Sequence, residues 1–98
     1  MGKQEKLIAG IGDNPKAVRF DEACKLALLL GFVHQGGKGS HRVFIRKGEI
    51  IQLNFQNRNG VIPHYQAMEL LAMLEKYGAE LWTSILSKYF GQMKMPAI

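Results

Sequence analysis

The sequence predicts an α+β fold, a two-layer sandwich in which helices cover one face of a three-stranded antiparallel sheet. Apolar residues recur at helical spacing over 20–28 and again over 67–74, whereas 40–46 and 49–55 are short runs rich in β-branched and aromatic residues. With 98 residues, the chain holds one domain and one modest core. The expected order is α-β-β-β-α with an extra C-terminal helix, an order that places the helices together on one side of the sheet.

Each element follows from local chemistry. Residues 1–17 read as a tail, because Gly10, Gly12, Asp13, Asn14 and Pro15 cluster as breakers. In the first helix, Phe20, Ala23, Cys24, Ala27 and Leu28 line one face, and Asp21 and Glu22 suit the positive end of the helix dipole. Gly31 is placed to cap it, with Phe32 packing back. A short extended piece over 32–35 leads into Gly36-Gly37-Lys38-Gly39. Strands over 40–46 and 49–55 are joined at Lys47-Gly48 as a hairpin. Gln56 to Pro63 reads as a loop. The next helix starts at His64 or Tyr65 and stops at Gly78, and Leu81, Trp82, Ile85, Leu86 and Tyr89 form a third helix; the last residues, from Gly91, read as frayed. The divisions are 1–17 for the tail, 18–78 for the domain and 79–98 for a helical extension.

Strand alternation puts Arg42, Phe44 and Arg46 on one side, and His41, Val43 and Ile45 on the other. Phe44 between two arginines either meets a nucleic-acid backbone on an open face or lies covered by the chain.

Charge and cysteine content narrow the function. The net charge is +5, and residues 16–58 hold eight basic residues against three acidic ones. That clustering favours phosphate backbones through counterion release, and also fits a solvated basic face. Cys24 is the only cysteine, which excludes an intramolecular disulfide framework and points to a reduced, cytoplasmic protein. The longest apolar run, over 26–33, is far below the roughly 20 residues of a membrane span, and no signal peptide is expected. The glycine-rich loop fails the phosphate-loop pattern, since Gly39 stands where the hydroxyl residue after Lys38 belongs. His34, His41 and His64 lack metal-ligand spacing, so neither metal nor cofactor is expected. His41, flanked by Ser40 and Arg42 beside the glycine loop, is the best-placed proton carrier. Cys24 reads as a buried structural thiol.

The segment Gly39-Ser40-His41-Arg42-Val43-Phe44 resembles the Gly-Ser-His motif of the HicA (YcfA-like) toxins, small mRNA interferases of bacterial and archaeal toxin–antitoxin systems. Phe20 through Gly31-Phe32 resembles that family's first helix, and Tyr65-Gln66 with Leu70-Leu71 resembles the start of the last helix in a longer subgroup. The likeness covers about residues 18–78. It implies a fold like the double-stranded RNA-binding domain, ribosome-independent cleavage of mRNA without metal, and a HicB-like antitoxin that occludes the active site. It also implies that His41 is catalytic, with Gly39 and Ser40 matching its neighbours; Lys38, Arg42 and Arg46 are the local candidates for holding phosphate. Ile62-Pro63-His64-Tyr65 departs from the family's Pro-His-His-like segment, so His64 reads either as a second functional histidine or, in preference, as a helix-start residue. Two other functions fit the same features: a non-catalytic RNA-binding module, and an interaction protein that self-associates through Trp82, Ile85 and Leu86.

Overall fold

The first expected helix forms as α2 (Phe20–Leu29), after α1 (Lys3–Asp13) and a 3-10 turn at Pro15–Ala17. The computed structural model describes residues 3–90, with side chains over 4–80. Helix α2 buries Phe20, Ala23, Cys24, Leu26 and Ala27. It ends as the glycine predicts. Gly31 has a φ of +89°, its N–H donates to the Leu28 carbonyl, and the Phe32 N–H reaches back to the Ala27 carbonyl. These paired bonds close a Schellman motif and satisfy carbonyls that the helix end leaves open. Phe32 then plunges into the core.

Three strands follow: β1 (Val33–Gly36), β2 (His41–Ile45) and β3 (Leu53–Gln56). They pair antiparallel in the order β1-β2-β3, with a bulge at Gln35 between the pairs His34–Phe44 and Gly36–Val43. Phe44, Leu53 and Phe55 are buried on the face that meets the helices, and the Phe44 and Phe55 rings lie 5.7 Å apart. Phe44, at 1% exposure, is therefore a core residue and not a platform for nucleic acid. The opposite face is open: Val33 is 56% exposed, and His41 and Asn54 are also exposed. An antiparallel sheet tolerates such a face because its alternate residues reach water. The result is an α+β fold with a three-stranded antiparallel sheet and helices.

Three segments depart from expectation. The tail expected over 1–17 contains α1, which packs on α2 and buries Ile8 and Ile11. Its glycines, Gly10 and Gly12, have nothing within 4 Å of a would-be Cβ, so they tolerate the helix while the apolar stripe drives it onto the core. The strand expected from residue 49 begins only at Leu53. Glu49 pulls the preceding chain away: its carboxylate accepts bonds from Lys76 Nζ and Tyr77 Oη, both at 2.6 Å, and from the Ile51 N–H at 3.0 Å. The hairpin survives with a longer connection, and Ile50 is left 94% exposed.

The third departure is at Gly78, which does not stop its helix. Helix α3 runs unbroken from His64 to Phe90, so the two helices expected on either side of residue 78 are one. Gly78 is buried, and a Cβ there would lie 3.2 Å from Leu74 Cδ1. The glycine serves close packing within the helix instead of a left-handed cap. The side chains of Trp82, Ile85 and Leu86, expected to mediate self-association, and the residues from Gly91 onward lie outside the described residues.

Candidate nucleic-acid interface

The glycine-rich loop is shaped by one demanding position. Gly37 has a φ of +93°, and a Cβ on it would overlap the His41 carbonyl oxygen and sit 2.9 Å from Arg42 Cα. Only glycine lets the loop fold back this closely on β2. Gly39, with a φ of +56°, has open space around it. The His41 N–H donates to the Lys38 carbonyl at 3.0 Å, closing a four-residue turn that presents Lys38, Gly39 and Ser40 to solvent just before β2.

His41 stands first in β2, on the open face and exposed. Its ring makes no hydrogen bond among the described residues. Directly opposite in β3 is Gln56. The Gln56 N–H points away from β2, to Gln66 Oε1 at 2.9 Å, and the next inter-strand bond joins the Asn57 N–H to the Ser40 carbonyl at 2.7 Å. His41 and Gln56 are thus a non-hydrogen-bonded pair, the geometry that brings facing side chains closest.

Gln56 in turn holds Arg58. The Arg58 Nε and Nη2 both donate to Gln56 Oε1, at 3.2 and 3.0 Å. The backbone of Arg58 is equally fixed, because Arg58 and Val61 exchange both N–H···O bonds across Asn59 and Gly60. With φ values of +54° and +92°, Asn59-Gly60 has the left-handed pair of a type I′ turn. This small hairpin is seated by Phe20 N–H on the Gly60 carbonyl and Ile62 N–H on the Val18 carbonyl. Neither Gln56 nor Arg58 was a candidate on sequence. The Asn-Gly pair and the two-residue spacing of Gln56 and Arg58 were the available signals.

The expected phosphate contacts divide. Lys38, Gly39, Ser40 and His41 lie together. Arg42 faces the helix side, its guanidinium 5.7 Å from the centre of the Phe20 ring, yet it remains exposed at the same end of the sheet. Arg46 follows β2 at its other end, about 16 Å along the strand from His41. It is committed there: Nε donates to the Leu30 carbonyl at 3.0 Å, Nη2 meets Glu80 at 3.2 Å, and the guanidinium lies 3.9 Å from the centre of the Tyr77 ring. The structure does not bring Arg46 to His41.

The remaining candidates have structural work. His64 opens α3, and its Nδ1 faces the Pro15 carbonyl oxygen at 3.3 Å, tying the helix start to the 3-10 turn. Cys24 is buried, and burial raises its thiol pKa against the opposing pull of Arg42, which keeps it protonated and unreactive. No helix among the described residues is long and apolar enough to cross a membrane. In comparisons with known proteins, no family model, curated protein or solved structure matches the chain.

Proposed function

We propose that the protein is a HicA-like endoribonuclease of the cytoplasm, cleaving mRNA without metal and held in check by a HicB-like antitoxin. The observation that carries this reading is the position of His41: exposed on the open sheet face, at the mouth of a basic glycine-rich loop. RNA supplies its own nucleophile, so a small site suffices. The imidazole takes the 2′-hydroxyl proton, and the 2′-oxygen attacks the adjacent phosphorus. The bond to the 5′-oxygen breaks and that oxygen takes up a proton, leaving a 2′,3′-cyclic phosphate and a 5′-hydroxyl. Lys38 and Arg42 supply positive charge for the phosphorane-like transition state, and the loop at Gly39-Ser40 brings backbone close to the anion.

The test is His41→Ala, assayed on labelled RNA in the presence of a chelator, with circular dichroism and thermal unfolding to verify the fold. The expected result is loss of cleavage at unchanged stability; a folded variant that cleaves as the parent does overturns the assignment. One observation favours a second reading, a non-catalytic RNA-binding module. A general base is usually oriented by a hydrogen-bonded partner, and the His41 ring has none among the described residues. The module reading expects intact RNA at protein concentrations that saturate binding.

A further inference from the structure

We infer that Arg58 and Tyr65 form a nucleotide subsite on the β3 side of His41, Arg58 holding an RNA phosphate and Tyr65 stacking an unpaired base. This rests on the RNA-binding reading above and adds to it the side from which the strand is held. A continuous chain of hydrogen bonds joins the two residues. Arg58 donates to Gln56 Oε1, the Gln56 N–H donates to Gln66 Oε1 at 2.9 Å, and Gln66 Nε2 donates to Tyr65 Oη at 3.2 Å. Gln66 is only 4% exposed. A buried amide with both ends satisfied fixes what it touches, because breaking either bond strands a polar group away from water.

The two exposed ends of this chain are suited to a nucleotide. Arg58 spends Nε and Nη2 on Gln56 and keeps Nη1 for an anion. Its backbone is set by the I′ turn and its side chain by Gln56, so little freedom is lost when a phosphate docks. Tyr65 is 62% exposed although its hydroxyl is anchored through Gln66, which leaves the ring face available. An exposed ring and a cation, held in fixed relation through Gln56 and Gln66, supply the stacking surface and the positive charge by which single-stranded nucleic acid is gripped without base-pair readout. Gln56 also sits opposite His41, so the subsite adjoins the proposed reacting phosphate.

The experiment measures the affinity of the full chain for a labelled single-stranded RNA oligonucleotide over a series of salt concentrations, with a duplex of the same sequence in parallel. Arg58→Gln is expected to weaken binding and to flatten the slope of log affinity against log salt by about 0.7, the value of one single-strand phosphate contact. Lys47→Gln, which removes an exposed charge from the turn at the other end of the sheet, is expected to keep the slope. Tyr65→Ala is expected to cost about fivefold or more in single-strand affinity at unchanged slope, and Tyr65→Phe, which keeps the ring but loses its bond to Gln66, to cost less than Tyr65→Ala. An unaltered slope in Arg58→Gln, or full single-strand affinity in Tyr65→Ala, overturns this inference alone. Parent protein that binds neither RNA with salt dependence overturns it together with the function proposed above.

Discussion

Replacing Gly37 by alanine tests how the loop and the His41 strand depend on each other, and Gly39→Ala is its matched control. Both glycines have positive φ, so both alanines carry conformational strain of roughly 1–2 kcal/mol. Only at position 37 does the new methyl meet backbone, the His41 carbonyl oxygen and Arg42 Cα. Backbone cannot swing aside as a side-chain tip can, so the loop or β2 must move, at a further cost of about 1–3 kcal/mol by analogy with overpacking. Gly37→Ala is therefore expected to lose about 2–5 kcal/mol in urea unfolding, and Gly39→Ala about 1–2. Against a total of about 5–15 kcal/mol for a domain, the first is a large fraction. The same displacement moves His41, so RNA cleavage is expected to fall further in Gly37→Ala than in Gly39→Ala while both proteins are folded. Equal midpoints and equal m-values for the two variants would refute the reasoning.

Three further changes probe other parts of the structure. Phe44→Ala is expected to cost about 3–5 kcal/mol, because it empties a fully enclosed site against Phe55; a shift in midpoint below about 1 kcal/mol would return Phe44 to the surface. Arg46→Gln is expected to lower thermal stability by about 1–3 kcal/mol through loss of the Leu30, Glu80 and Tyr77 contacts. An unchanged melting temperature would release Arg46 to the phosphate-holding role its strand position suggested. Glu49 is held down to about 2 from its ordinary 4.5, first by the Lys76 bond, then by Tyr77 and the Ile51 N–H. A depressed carboxylate stabilises the fold above its unfolded value and loses that contribution as pH falls from about 4.5 towards 2. The melting temperature of the parent is thus expected to drop across that window more steeply than that of Glu49→Gln, and parallel profiles would show the clamp to be inert.

What the sequence disclosed depended on whether a residue's role was local. The helix over Phe20–Leu29, its end at Gly31 and the antiparallel pairing around Phe44 follow from spacing and turn chemistry within a few residues. The face Phe44 takes does not, since alternation gives two faces and only packing with Phe55 chooses between them. The true start of β3 was hidden because Glu49 answers to Lys76 and Tyr77, far along the chain. Gly10, Gly12 and Gly78 misled in the same way: a glycine reads as a breaker, yet burial of Ile8, Ile11 and the neighbours of Leu74 overrules its modest helix penalty. In the candidate site, the loop from Lys38 to His41 was legible because its members are adjacent. The placement of Gln56, which holds Arg58, opposite His41 exists only in the register of β2 on β3.

The order of the strands in space is also their order along the chain, and this bears on how the molecule assembles. Each strand pairing closes a short stretch of polypeptide, which favours rapid formation of the sheet. The contact of Phe20 with Gly60 is different, spanning about 40 residues. Against the short β2–β3 closure it carries about 1.4 kcal/mol more chain entropy. It is also what seats the Asn59-Gly60 hairpin and Arg58. Under mild denaturation the hairpin is therefore expected to let go while helix and sheet persist, so the RNA affinity proposed above is expected to decline before the far-ultraviolet signal does.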